Sequence, residues 1–173
     1  MRLHNRKIAE IAIFSASAVI IYVLETFIPR PFPWMRFGFG NIIVLVTLYL
    51  LGFKCGLLVT AMKSILGGLI AGNLFTPAFL FSISGGITSL MAMALLLTII
   101  PEIFSPLGIS VAGAVIHNLA QLLVASFLFI GRIEVMHLFP LFIILSVVTG
   151  TITGIICLMT LNLIKKSRYS IGV

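Results

Sequence analysis

Residues 29–41 read PRPFPWMRFGFGN, and the fold turns on how this stretch is placed. It lies between long apolar segments, yet it holds three prolines, two arginines, the only tryptophan and two glycines. Pro29, Pro31 and Pro33 each lack a backbone N–H and fix φ, so they break a helix. Trp34, Phe32, Phe37 and Phe39 suit a membrane–water interface, where an amphipathic ring keeps one edge wet. Arg30 and Arg36 have stems long enough to snorkel to that surface. Gly38 and Gly40 permit a tight approach to the next helix. The stretch has two readings: a structured loop lying on, or dipping into, one mouth of a membrane bundle, or an ordinary interfacial connector.

Working outward, the composition supports a bundle. The 173 residues are 61% hydrophobic and 9% charged, with mean hydropathy +1.28. A soluble domain carries about 25% charged residues, so this chain is an integral membrane protein with no room for a soluble domain. Its net charge of +7 does not read as a nucleic-acid footprint, because the basic residues sit at segment ends rather than in one solvated patch. Cys55 and Cys157 stand far apart in apolar surroundings and read as buried free thiols. Four acids are present, Glu10, Glu25, Glu102 and Glu134, and no Asp. That excludes chemistry in which clustered carboxylates hold magnesium on a phosphate substrate. No metal and no cofactor is expected.

Residues 8–28 form the first expected transmembrane helix. Ala16-Ser17-Ala18 resembles a signal-peptidase site, but the apolar core before it is short and contains Glu10, and hydrophobicity continues beyond it. Ala12 and Ala16 are four apart, giving a small face that another helix can approach closely, whether inside the bundle or from a partner. Residues 42–72 are uncharged except for Lys54 and Lys63. At 1.5 Å per residue they make about 46 Å of helix, too long for one pass of a core about 30 Å thick and short for two.

Charge settles the count. Lys165, Lys166 and Arg168 match the basic start at Arg2, Arg6 and Lys7, so the positive-inside rule puts both ends in the cytoplasm and makes the number of passes even. Residues 78–100, 107–131 and 138–164 can each span. The central stretch must therefore turn back, with Gly52-Phe53-Lys54 as the hinge. The expectation is an all-α bundle of six transmembrane helices, about 8–28, 40–52, 54–73, 77–100, 107–131 and 137–164, with a structured outer loop at 29–39. The short second pass must have its ends covered by protein or facing a cavity, since bare backbone in lipid is too costly.

Several polar residues fall inside these spans. A lysine at the bilayer centre costs about 2.5–3.5 kcal/mol on insertion scales, so Lys63 faces the interior, to contact a ligand or to pair with Glu25. His117 and Gln121 share a helical face, with Asn118 adjacent; unsatisfied in lipid, they point inward, for helix–helix bonding or for a ligand. Asn73 sits at the outer end of the third helix, to cap it or to contact a ligand. Small and hydroxyl residues at 82–89 and 149–154 let backbones approach. No Ser-His-acid set, phosphate-binding loop or carboxylate pair occurs, so binding or transport, rather than catalysis, is the default.

Three stretches, PFPWMRFGFGNIIVLVTLYLLGF, MKSILGGLIAGNLFTPAFLFSISGGITSLMAMALL and GISVAGAVIHNLAQLLVASFLF, resemble the Gx transporter family, whose members are often labelled heptaprenyl diphosphate synthase component I. The resemblance covers about residues 8–160. That family is similar to the substrate-binding S components of energy-coupling factor (ECF) transporters, six-helix proteins that bind small molecules at their outer side. By that resemblance, residues 29–41 form the gating loop. Ala12 and Ala16 match the A-x-x-x-A motif that docks helix one on a transmembrane coupling subunit carrying two cytoplasmic ATPases. Asn41 stands where S components commonly carry Asp. The resemblance implies a subunit for small-molecule uptake in a prokaryotic plasma membrane. The label implies the alternative: a membrane partner of a prenyl diphosphate synthase, or a handler of isoprenoid or quinone precursors, without catalytic residues of its own.

The expected site is a pocket in the outer half of the bundle, roofed by residues 29–39 and floored near Lys63. Arg36, Lys63, Asn73, Asn118 and Gln121 supply polar contacts and Trp34 an apolar lid. Arg30, Arg36, Lys63 and Arg132 outnumber Glu25 and Glu134 in this zone, which favours an anionic or carbonyl-bearing ligand. In the competing arrangement Lys63 pairs with Glu25 and the loop seals a packed bundle.

Overall fold

The computed structural model describes residues 2–30, 32, 35–99 and 103–170. Trp34, with Pro31 and Pro33, lies outside the described residues, as does residue 100, the expected end of the fourth helix. The described chain is helical throughout: α1 (Arg2–Glu25), α2 (Asn41–Leu51), α3 (Phe53–Ile70), α4 (Pro77–Ile99), α5 (Pro106–Val124) and α6 (Phe139–Ser170). A π-helical turn, Ala125–Ile130, extends α5, and a 3-10 segment, Ile133–Leu138, leads into α6.

Local chemistry explains the boundaries. Gly52 separates α2 from α3 at φ +83°, a conformation that glycine adopts without steric cost. Its N–H still reaches the Leu48 carbonyl at 3.1 Å, so α2 ends capped. Ser105 starts α5, its hydroxyl accepting the Gly108 N–H at 3.3 Å, with Pro106 behind it at the first helical position. The first helix stops at Glu25, three residues before the expected end, because the Thr26 hydroxyl and N–H both bond the Val23 carbonyl. Both chain ends remain helical through their basic residues, since Lys and Arg are good helix formers.

The expected fifth helix also divides. After Val124 the winding loosens to π, and Gly131 closes the segment at φ +68°. The Ser126 hydroxyl donates to the Arg132 carbonyl at 2.7 Å and ties the π-helical turn to the start of the 3-10 segment.

The long helices neighbour one another in the order α1, α3, α4, α5, α6, and α2 packs against α1, α3, α4 and α6, filling the middle. Its Val44, Leu45, Val46 and Leu48 meet Ala18, Val59, Leu90, Met93, Ile109 and Cys157 in the main core. At 11 residues α2 is about 16 Å long, well short of a bilayer core. Burial among α1, α3, α4 and α6 solves its backbone problem. The tightest crossing is α5 on α6: a Cβ on Gly150 would lie 2.6 Å from the Val111 Cα, so only glycine allows the backbones this close.

Among the described residues, five helical stretches are long and apolar enough to cross a membrane. The exposed surface is rich in Ile, Leu and Phe, while Glu25, Arg36, Lys63, His117, Asn118 and Gln121 are buried. Apolar outside and polar inside is the pattern a bilayer imposes, because polar groups in lipid must be satisfied by protein. The chain is an all-helical membrane protein.

The loop after α1 does dip inward. Met35 is fully buried and packs with Leu122 and Phe142 in a second core, where Phe37 and Phe139 join it. The Phe32 and Phe142 rings stack with centroids 5.8 Å apart.

Candidate functional site

The site begins with α3. Its buried residues include Gly56, Thr60, Lys63, Ser64 and Gly67, spaced along one helical face. The small residues let neighbours close around Lys63; the Tyr22 ring lies where a Gly67 side chain would be. Lys63 is 2% exposed, and its Nζ donates to Asn41 Oδ1 at 2.6 Å. Asn41 opens α2 and is held above Lys63 by the turn through Gly38 and Gly40.

Glu25 does not pair with Lys63. Its carboxylate turns to the loop, where Oε1 accepts the Gly38 N–H at 3.1 Å and Oε2 the Phe39 N–H at 2.9 Å. Oε1 also lies 3.9 Å from Nε of Arg36, an ion pair in which both side chains are almost fully buried. The physical reason is proximity in the chain: the loop returns over the end of α1, bringing its own guanidinium and two free N–H groups to the carboxylate.

Arg36 is the most heavily held residue of the loop. Its guanidinium lies 3.6 Å above the Tyr22 ring, a cation–π contact, and Nη2 donates to the Tyr22 carbonyl at 3.3 Å. Among the described residues Nη1 has no hydrogen-bond partner, although Arg36 is only 2% exposed. The Arg36 backbone is bound by Gln121, whose Oε1 accepts the N–H and whose Nε2 donates to the carbonyl.

His117 links the two halves of this network. Nδ1 faces Asn41 Nδ2 at 3.3 Å, and Nε2 faces Gln121 Nε2. Both amides are oriented by other partners, Asn41 by Lys63 and Gln121 by Arg36, so both present N–H to the ring. A neutral imidazole has one acceptor nitrogen, so it satisfies one of these donors and opposes the other. Gly85 leaves room for the ring; a Cβ there would fall 2.7 Å from His117 Cε1.

Of the expected site residues, the structure brings Arg36, Lys63 and Gln121 into one connected network. Asn73 joins at one remove, its Oδ1 accepting from the Tyr22 hydroxyl at 3.1 Å. Asn118 turns away: its Nδ2 donates to Ser146 Oγ of α6 at 2.7 Å, and its Oδ1 has no partner among the described residues. Tyr22 and the capping role of Glu25 escape a reading of the sequence, because each depends on which backbone comes near; Asn41 stands out only through the family resemblance, and its bond to Lys63 does not. The polar character of Glu25 inside a span is the one signal that points to it. Outside the spans, burial and then the nearby Arg36 guanidinium hold the Arg30 guanidinium below its ordinary pKa.

The network encloses little space. One void of about 10 Å³ is lined by Tyr22, Glu25, Arg36, Lys63, Ser82 and His117, enough for roughly one water. A second of about 10 Å³ lies across Asn41 and Gly38, lined by the hydroxyls of Ser89, Ser110, Thr149 and Thr153. Larger spaces lie elsewhere: an apolar groove of about 380 Å³ between Phe81 and Phe129 contains none of the expected polar residues. A groove of about 470 Å³ lies at Ser126, Arg132 and Glu134, apart from the network. The polar network, not either roomier groove, has the buried charged groups that could hold a ligand. It can bind and orient a charged group, but its one carboxylate is committed to the loop. No group of three His, Cys, Asp or Glu side chains that could hold a metal occurs among the described residues.

Fold and site thus define a polytopic membrane protein with a buried, charged network under an inserted loop. The chain belongs to the heptaprenyl diphosphate synthase component I family, whose model matches residues 14–160. That span contains every member of the network. No curated protein and no solved structure matches the chain.

Proposed function

We propose that this chain is a membrane-embedded substrate-binding subunit for uptake of a small molecule, similar in plan to the S components of energy-coupling factor transporters. The observation that carries the reading is the insertion of Arg36 beside Glu25, above Lys63 and Asn41, at the core of a bundle where buried charge is costly. Such a network, with one guanidinium nitrogen unpartnered among the described residues, suits a gated site for a charged ligand. Residues 29–39 act as the gate, and the two voids, both lined by Gly38, open into one pocket when the gate lifts.

A second observation supports an external partner. Ala12 and Ala16 lie on the exposed side of α1, next to exposed Ile13 and Ile20, whereas Ser15 and Ala18 face the bundle. The small face is therefore not used for internal packing. On this reading it docks on a transmembrane coupling subunit that carries ATPases, in a prokaryotic plasma membrane with both termini cytoplasmic.

The family's description favours a second reading: a membrane subunit that accompanies the second component of a prenyl diphosphate synthase. The absence of Asp from the sequence fits a non-catalytic part in that complex. Affinity purification of the full chain from its native membrane separates the two. Recovery of a coupling subunit with ATPases supports uptake; recovery of a soluble prenyl synthase in their place overturns it.

A further inference from the structure

We infer that the ligand presents a single monoanionic carboxylate to Arg36 and Lys63, and that a diphosphate is not accepted there. This rests on the binding-site reading above and specifies the chemistry of that site.

The charges around the first void set the charge of the ligand. Among the described residues, three formally charged side chains line the first void: Arg36 and Lys63 are cationic and Glu25 is anionic, leaving one positive charge. All three are 2–3% exposed. The Glu25 carboxylate already serves two loop N–H groups and Arg36. Lys63 is bonded to Asn41, a neutral amide, so its charge is not cancelled locally. A buried net charge calls for a counter-charge, and the value here is one.

Geometry points the same way. Arg36 Nη1 is a buried donor with no partner among the described residues. A guanidinium edge matches the fork of a carboxylate, and an ammonium supplies a further point contact. A diphosphate carries more negative charge than the count balances, and its surplus would remain buried beside Glu25. The second void, with the Ser89 hydroxyl that has no partner among the described residues and those of Ser110 and Thr153, offers hydrogen bonding to the body of the molecule. Because each void has room for only about one water, a carboxylate enters by displacing loop side chains, which couples binding to gating.

The test uses the purified full chain and three probes at matched ionic strength: formate, its neutral isostere formamide, and pyrophosphate. Thermal unfolding is recorded with each, and the protein is denatured to identify any small molecule it releases. Formate is expected to raise Tm by a few degrees, and formamide and pyrophosphate to leave it within the ionic-strength control. Glu25→Gln raises the count to two and is expected to bring a pyrophosphate response; Lys63→Met lowers it to zero and is expected to remove the formate response. The wild-type comparison stands even where a variant fails to fold. An equal shift with formamide, or a larger one with pyrophosphate, overturns the inference. If no probe shifts Tm and the released molecule lacks a carboxylate, the inference fails while the binding reading survives; if nothing is released either, both fail.

Discussion

Gln121 holds the peptide of Arg36 from both sides, accepting its N–H at 2.8 Å and donating to its carbonyl at 3.0 Å. The two residues are 85 apart in sequence, and the side chain takes the place of a neighbouring strand or helix turn for an otherwise irregular backbone. Gln121→Leu leaves two buried backbone groups unmet. Each such group costs about 1–3 kcal/mol, so destabilisation on the order of 2–6 kcal/mol is expected. The loop should also lift: a cysteine placed at Phe32 should label faster in this variant than in wild type, against low background from the buried Cys55 and Cys157. Unchanged labelling and Tm would remove Gln121 from the gate.

The pairing of Glu25 with Arg36, not Lys63, is open to a double-mutant cycle. Glu25→Gln and Arg36→Met should show a coupling energy above about 1 kcal/mol in thermal or denaturant unfolding. Glu25→Gln with Lys63→Met should show a smaller one, and Glu25→Gln should not rescue Lys63→Met. The reverse order would mean that Lys63 is the true partner of the carboxylate.

Ala12→Leu and Ala16→Leu add bulk to the exposed side of α1. Both variants are expected to keep wild-type stability within about 0.5 kcal/mol, as surface substitutions usually do. Recovery of a coupling subunit should fall, because a leucine blocks close helix approach. Wild-type recovery with both variants refutes the docking face.

Topology has its own measurement. Single cysteines near residues 4, 29 and 168 are probed with an impermeant reagent in intact cells; Met35, in the same loop, is too buried to serve. Residue 29 should label from outside, and residues 4 and 168 only after permeabilisation. External labelling at 168 contradicts cytoplasmic termini.

Helix number was legible from lengths and charges because a bilayer restricts both. The break at Gly52 was legible too, since glycine acts locally; the prolines marked residues 29–41 as a loop but left open whether it dips into the bundle or merely connects two helices. Lys63 and Gln121 stood out because polar groups in an apolar span demand a partner, whereas Arg36, read as able to snorkel to the surface, is instead buried. The identity of that partner was not readable. Gln121 and Asn118 are three apart, about 60° around the helix, and that rotation sends one to the loop and the other to Ser146 of α6. Glu25 looked like a mate for Lys63 by charge alone. The competing attraction, two backbone N–H groups at Gly38 and Phe39, carries no side-chain signature and exists only once the loop has returned.

That capping by Glu25 has a mechanical side. The carboxylate belongs to the last residue of α1, so the roof of the site is fastened to the tip of a helix whose other side, at Ala12 and Ala16, faces outward. α1 is therefore a lever with a load at one end and a grip along its outer side. A tilt imposed by anything that grasps the alanines moves the anchor of the roof with it, with no relay through the packed core.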